Sequence, residues 1–413
     1  MPRRFIHIAL FLFIVTALSG LWMRAIPFIH ISSLNYEHIL HAHSHIAILG
    51  WAFFGLFIIF LAIIWPNLQQ KRHASMLAYS IFFTSVFMFI AFLYEGYATY
   101  SIIFSILHIF VEFWAAFFIY KQIKLQKSIP QISQLFMKGS LIALIISSIG
   151  PFLLGYLGAT GLRESMFFDM SIYFFLHFQY NGWLFLFLIG LFIKVLHDKN
   201  IELSRTLGKY GFWIYFLSLF PWYVSSILWV DVGGFAKVIA TAGSVGQWIG
   251  VVIILLSVKK VWQLLRDAFS KIILICIMGT FLLLFLKSTM ELGLISAPLS
   301  NLVFETRSVI IGYLHLTLLG FVSLFILTQF QMTKLIDTKK SSFTTGISMF
   351  LVGFVLNELL LFMMGLLSWL DVFNIPFYHE SLFIASMLLS IGIGFLWASL
   401  IKKQTYRKSY QQK

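Results

Sequence analysis

The chain has 413 residues, of which 60% are hydrophobic and only 11% are charged, and its mean hydropathy is +0.93. A soluble domain of this size must present polar side chains to water, so this composition excludes soluble enzymes and soluble binding modules. The formal net charge of +14 does not indicate a nucleic-acid ligand, because the basic residues cluster at the ends of apolar segments, where they orient helices in a membrane.

Apolar runs recur along the whole chain, each close to the ~20 residues that a helix needs to cross a bilayer. The single cysteine, Cys276, lies inside one of them, which excludes a disulfide framework or a paired-cysteine redox motif. We therefore predict an all-α, polytopic membrane protein with twelve transmembrane helices. The predicted spans are residues 5–24, 43–65, 75–95, 101–123, 134–158, 168–196, 208–230, 238–258, 269–290, 306–330, 343–368 and 378–401.

The distribution of Lys and Arg predicts the orientation of these spans. With both termini in the cytoplasm, 24 of the 29 basic residues fall in inner segments or at inner helix ends. This bias follows the positive-inside rule, so we predict a multi-pass protein of a bacterial inner membrane, with the lipid bilayer as its partner and no nucleic acid. The five basic residues at outer ends are Arg24, Arg163, Lys237, Lys287 and Arg307.

A short motif occurs three times, in the second, sixth and tenth predicted spans. The copies are HIAILGW from His45, HFQYNGW from His177 and HLTLLGF from His315, each a histidine followed after four residues by Gly and then Trp or Phe. The histidines lie 132 and 138 residues apart, in the second helix of each successive group of four. The repeat predicts one integral membrane domain, 1–413, built from three four-helix units (about 1–130, 131–268 and 269–413) around a pseudo-threefold axis.

Helical geometry predicts a role for each position of the motif. At ~100° per residue, the Gly lies about 140° from the His, and the aromatic residue about 120° away on the other side. The imidazole can then face the bundle interior, while the Gly lets a neighbouring helix approach closely and the aromatic ring packs elsewhere or on a cofactor. One such His is explained by hydrogen bonding across helices; three at one depth favour a shared cofactor.

This pattern resembles the catalytic subunit of the heme-copper oxidase superfamily, including its nitric oxide reductase branch. The resemblance implies twelve helices in three arcs of four, with metal ligands on helices two, six, seven and ten. By position, His45 matches the helix-two ligand of the low-spin heme and His315 the helix-ten ligand on its opposite face, while His43 is the alternative to His45. His177 matches a histidine that ligates the non-heme metal in the reductases.

The sequence also departs from the family. The His-x-His of helix ten is here Tyr313-Leu314-His315, helix seven has no histidine, and Asn181 stands where the reductases have a glutamate. The resemblance therefore implies a bis-histidine heme b beside an altered or lost dinuclear centre. Tyrosine can ligate heme iron, so Tyr313 is a candidate second heme ligand, and copper is a further candidate cofactor.

Other polar residues in the apolar spans add candidates. His38, His41 and His45 share one helical face, which suits either a loop-side copper or zinc site or a solvated cap, and His41 and His43 fall near the helix start. His108 and Glu112 are four residues apart; Glu112 either relays protons or orients His108, which is another candidate metal ligand. Glu358 is a second intramembrane carboxylate.

The expected function is a heme-b-binding membrane protein, a divergent oxidase or nitric oxide reductase in which His177, Tyr313 and Glu112 are the candidate catalytic residues. A cytochrome or other electron-donor subunit is the expected protein partner. One alternative is a non-catalytic heme and copper protein similar to the NnrS family, which is linked to nitric oxide stress. Another is a proton-coupled transporter whose histidines line the path of its substrate.

Overall fold

The computed structural model describes residues 1–29, 35–230, 233–371 and 375–400, which are helical and contain no strand. Eleven of the described helices are long and apolar enough to cross a membrane, which confirms a polytopic helical membrane protein. A further helix, Arg205–Trp222, has 18 residues and is less apolar than those eleven. Residue 401 of the last predicted span and the basic tail 402–413 lie outside the described residues.

The long helices follow the predicted spans in chain order. Short helices Trp262–Ala268 and Ala297–Glu305 lie in the connections. The long helices are α1 Arg4–Ala25, α2 Tyr36–Asn67, α3 Lys71–Glu95, α4 Thr99–Leu125, α5 Gln131–Ala159, α6 Met166–His197, α7 Arg205–Trp222, α8 Gly233–Lys260, α9 Lys271–Gly293, α10 Arg307–Met332, α11 Ser341–Trp369 and α12 Tyr378–Ala398.

Three helices, α2, α6 and α10, change from α-helical to π-helical winding in mid-span. The π segments are Ile46–Ala52, His177–Leu184 and Leu316–Ser323, so each begins at or directly after a motif histidine. The angles expected for the motif are therefore wrong, because they assume α-helical winding. π-Helical segments are rare and occur frequently at functional sites.

The same three helices form the centre of the bundle. The most apolar 18-residue stretch of each candidate span differs in the share of its residues that is buried. This share is 83% in α2, 94% in α6 and 61% in α10, and 39–44% in the other eight. The outer helices therefore shield the motif helices from lipid, which explains why only these three carry the histidine motif at their centre.

The motif aromatic residues connect the central helices in a ring. Trp51 on α2 donates its indole N–H to Ser323 Oγ on α10 at 2.9 Å. Trp183 on α6 packs against Phe53 on α2, with ring centroids 5.2 Å apart. Phe321 on α10 packs against Phe185 on α6 at 6.0 Å. Each motif thus contacts the next central helix in the same rotational sense.

The motif glycines allow close approach at two of the three copies. A Cβ atom on Gly182 would lie 2.5 Å from Ala143 Cβ on α5, and one on Gly320 would lie 2.5 Å from the Phe354 ring on α11. At Gly50 the nearest atom belongs instead to Ile46, one turn away on the same helix. The close approach expected at the glycine is therefore found at the second and third copies.

We expect Gly182→Ala to lower the free energy of unfolding by about 1–3 kcal/mol, because overpacking a filled interior forces the neighbouring helix to move. Gly155→Ala is the matched control, since a Cβ there meets nothing within 4 Å. Thermal or denaturant unfolding in detergent, followed by circular dichroism, measures both variants. Equal unfolding midpoints for the two would contradict the close packing of α5 on α6.

Candidate functional site

The histidine-rich stretch belongs to α2 and not to the preceding loop. Helix α2 begins at Tyr36, where the Asn35 side chain caps it by accepting the Glu37 N–H at 2.9 Å. His41 and His43 are therefore helical residues, and His43 and His45 project from different faces of the helix. The cap is a common way to satisfy a helix's first backbone donors.

His43 faces α1. Its Nδ1 lies 3.0 Å from the Thr16 carbonyl oxygen and 3.0 Å from Ser19 Oγ. Because a carbonyl oxygen only accepts, Nδ1 carries the ring proton and Nε2 keeps its lone pair. Nε2 makes no hydrogen bond within the described residues, and the side chain is only partly buried. Such a ring is oriented by the protein and free to bind at Nε2.

His315 is the last residue of α10 before its π segment, which begins at Leu316. It lies within electrostatic range of His43 and Arg24. Its Nδ1 is buried and has no hydrogen-bond partner within the described residues, although the ring as a whole is only partly buried. The structure therefore places His43, His315 and Arg24 within electrostatic range of one another.

His45 faces another direction, towards the α3–α4 connection. Its Nδ1 donates to the His41 carbonyl at 2.8 Å, and its Nε2 accepts the Tyr97 hydroxyl at 3.2 Å. The ring stacks on Phe92 at 4.2 Å, and His41 packs edge-on against Tyr97 at 4.6 Å. Both nitrogens of His45 are thus occupied by protein groups.

His177 on α6 is almost fully buried, and its two ring nitrogens also have protein partners. Nε2 donates to the Leu219 carbonyl on α7 at 2.8 Å, and Nδ1 lies 3.4 Å from the Asn181 amide nitrogen, which donates to it. The ring packs edge-on against Trp222 at 4.8 Å. In this arrangement the imidazole holds α6 and α7 together.

His108 and Glu112 form a second buried group, at the boundary of α4 and α6. Thr84 donates its hydroxyl to the Ser80 carbonyl at 2.8 Å and so accepts from His108 Nδ1, also at 2.8 Å. His108 Nε2 has no hydrogen-bond partner and lies 3.8 Å from Glu112 Oε1, which accepts from Gln179 Nε2 at 3.5 Å. The pair therefore places an imidazole and a carboxyl group side by side in the interior.

The structure reveals a buried charged network that the sequence reasoning missed. Lys287 and Glu291, one turn apart on α9, form an ion pair at 2.8 Å, and each is only 3% exposed. Lys287 Nζ also donates to Asn181 Oδ1 at 2.7 Å, and Tyr313 donates its hydroxyl to Glu291 Oε1. From the sequence, Lys287 counts only among the basic residues at outer helix ends. The signal for the network is a Lys and a Glu four residues apart in an apolar run.

Two of the candidate catalytic residues are connected through this network. His177 contacts Asn181, Asn181 contacts Lys287, and Glu291 connects Lys287 to Tyr313. Glu112 lies on the opposite side of α6 and contacts Gln179. The candidate catalytic residues therefore belong to two networks that flank the π segment of α6.

Groups of three or more His, Cys, Asp or Glu side chains that could hold a metal are not found within the described residues. The buried Cys276 thiol lies 3.9 Å from Gln331 Nε2. Glu358 on α11 accepts from the neighbouring Asn357 at 3.0 Å, and its other carboxylate oxygen has no partner in the described part of the chain.

Comparison with known proteins adds no relatives: no protein-family model matches the sequence, and no curated protein does.

We expect Lys287→Met to lower the free energy of unfolding by about 3–5 kcal/mol, because it leaves the Glu291 carboxylate buried without its cation. The double variant Lys287→Met/Glu291→Gln should lose less, since neither charge remains. Lys194→Met is the control, because its partner Asp198 has a side chain that is 47% exposed and such a pair contributes about 0–1 kcal/mol. Equal losses in the two single variants, measured by chemical unfolding, would contradict a tightly buried pair.

Proposed function

We propose that the protein is a twelve-helix bacterial inner-membrane protein with both termini in the cytoplasm and three pseudo-threefold-related four-helix units. The ring of contacts made by Trp51, Trp183 and Phe321 supports the threefold arrangement, since each repeats the same contact with the next central helix. Helix α7 is then the remaining span, because it lies between α6 and α8 in the chain. The bias of basic residues supports the orientation.

We propose further that the protein binds heme b between His43 on α2 and His315 on α10. The observation that carries this proposal is that His43 and His315, on two of the three central helices, are both partly buried and lie within electrostatic range of each other. His43 has its Nδ1–H held by a backbone carbonyl, the usual outer-shell partner of a metal-binding histidine. The His315 imidazole interacts with the Ile311 carbonyl one turn back on α10. Two imidazoles that are each oriented by a backbone carbonyl fit the ligands of a heme iron.

The choice of His43 over His45 depends on which neighbours each ring has. His45 has both nitrogens engaged and contacts Phe92 and Tyr97, away from His315. His43 has a free Nε2 and lies near His315. The repeat favours His45, and the hydrogen bonding favours His43. Since a ligand needs a free lone pair, we assign His43.

A bis-imidazole heme supplies one-electron transfer without an open position for a substrate. The region where the family resemblance expects a second metal contains His177, Tyr313, Lys287 and Glu291, joined by hydrogen bonds and an ion pair. The Lys287 ammonium disfavours a second cation at this position. We therefore propose electron transfer with a membrane or periplasmic donor, in preference to oxygen or nitric oxide reduction.

A proton-coupled transporter is the second candidate function. It is favoured by the π-helical interruptions in α2, α6 and α10 and by the buried Lys287–Glu291 pair, since interrupted helices and intramembrane charges occur at transport sites. The two functions differ in one measurable property, because only the heme protein has a Soret band.

We expect the protein purified from heme-supplemented cells to show a low-spin heme spectrum that is lost in His43→Ala and in His315→Ala. His45→Ala is the matched control, because His45 lies two residues away on the same helix, and this variant should keep the spectrum. Visible absorption and pyridine hemochrome analysis measure these variants. Loss of the spectrum in His45→Ala together with its retention in His43→Ala would assign the ligand to His45, and a colourless wild-type protein would favour the transporter.

We also expect the reduced protein to bind carbon monoxide weakly or not at all, because an iron held by both His43 and His315 would have no position left for it. The check is a reduced-plus-carbon-monoxide minus reduced difference spectrum, with His43→Gly as a positive control that opens one axial position. A strong difference spectrum in the wild-type protein, with rapid re-oxidation by oxygen or nitric oxide, would restore the reductase function.

A further inference from the structure

The Lys287–Glu291 pair lies in a part of the bundle that the proposed heme ligands do not occupy. Both side chains are 3% exposed and project from α9 towards α6, α7 and α10. Charged side chains inside a membrane protein are costly and commonly mark the path of a proton or ion. The two members of this pair differ sharply in how well the protein solvates them.

The Lys287 ammonium is fully surrounded by suitable groups. It donates to Glu291 Oε1 at 2.8 Å and to Asn181 Oδ1 at 2.7 Å. It also lies 5.1 Å from the Trp222 ring, 5.7 Å from Tyr180 and 5.8 Å from Tyr313, within the range of cation–π attraction. Two oxygen acceptors and three aromatic rings therefore surround the ammonium and stabilise its positive charge.

The Glu291 carboxylate is solvated at only one of its oxygens. Oε1 accepts from Lys287 Nζ and from the Tyr313 hydroxyl. Oε2 is buried and has no hydrogen-bond partner within the described residues. A buried polar atom without a partner is rare in a folded protein, and its free energy falls if it gains a proton or a donor.

We propose that Glu291 is a proton-binding site of this protein, which gains and releases one proton at Oε2 while Lys287 and Tyr313 hold Oε1. The step forms one O–H bond at Oε2, and the proton comes from bulk water and returns to it. The charge of the pair changes from zero to +1. The proton enters from the end of the bundle where α9 terminates at Gly293, two residues after Glu291.

The surrounding titratable groups are consistent with a single proton site. They are Lys287 on α9, Tyr313 on α10, His177 and Tyr180 on α6 and Tyr215 on α7. Tyr215 donates its hydroxyl to the Asn181 carbonyl at 2.9 Å, which keeps the phenol protonated, and His177 has both nitrogens engaged. Lys287 is the charged member of this group, so its ammonium and the Tyr313 hydroxyl set the pH at which Glu291 is protonated.

The test is an infrared titration of the full-length protein in lipid nanodiscs. As the pH falls, we expect a carbonyl band of a protonated carboxylic acid that shifts in heavy water and is lost in Glu291→Gln. Glu358→Gln is the matched control, because Glu358 is another buried carboxylate with one unpartnered oxygen, and its loss should leave the Glu291 band in place. A band that persists in Glu291→Gln, or no titrating band in the wild-type protein, overturns the proposal.

A milder variant keeps the test decisive if Glu291→Gln does not fold. Tyr313→Phe removes one hydrogen-bond donor from the ionised carboxylate and should move the midpoint of the band to higher pH by about one unit. An unchanged midpoint in Tyr313→Phe, with native helicity by circular dichroism, also overturns the proposal. The infrared band does not depend on bound heme, so its outcome is separate from that of the spectral experiments on His43 and His315.

Discussion

The ring of aromatic contacts among α2, α6 and α10 is the interaction on which the rest of the structure depends. Inside a membrane, apolar side chains gain little by leaving lipid for protein, so helices associate through close packing and a few hydrogen bonds. Trp51, Trp183 and Phe321 each supply such a contact to the next central helix. The outer helices then pack around this centre, and the functional residues of the three motif helices are held away from lipid.

The π-helical segments explain how an aromatic ring, a glycine and an imidazole from one short motif can have different neighbours. A π segment inserts an extra residue into the turn and changes which side chains share a face. On α6 this places Gln179 towards Glu112 and α4, while Asn181 contacts Lys287 on α9. Gln179 and Asn181 are two residues apart and point to opposite sides of the helix, so α6 joins two buried polar networks.

The imidazole pair and the ion pair lie in different parts of the bundle. His43 and His315 are the proposed ligands of a bis-imidazole heme, whereas Lys287 and Glu291 fill the region where the family resemblance expects a second metal. Tyr313 connects the two regions, because it lies two residues before His315 and donates to Glu291. A proton gained near Tyr313 and an electron gained near His315 would therefore act on the same short segment of α10.

Much of the fold could be predicted from the sequence because the relevant quantities are local. The length of an apolar run, the charges at its ends and the spacing of the histidine motif predicted the membrane helices and identified α2, α6 and α10 as equivalent. The sequence could not predict which of His43 and His45 has a free nitrogen, because that depends on Thr16 of α1 and on Tyr97. Lys287 was likewise counted only as a charge near a helix end, since its partners Asn181, Trp222 and Tyr313 come from three other helices. Hydropathy and spacing are properties of one segment, whereas the solvation of a buried charge depends on side chains that only tertiary packing brings together.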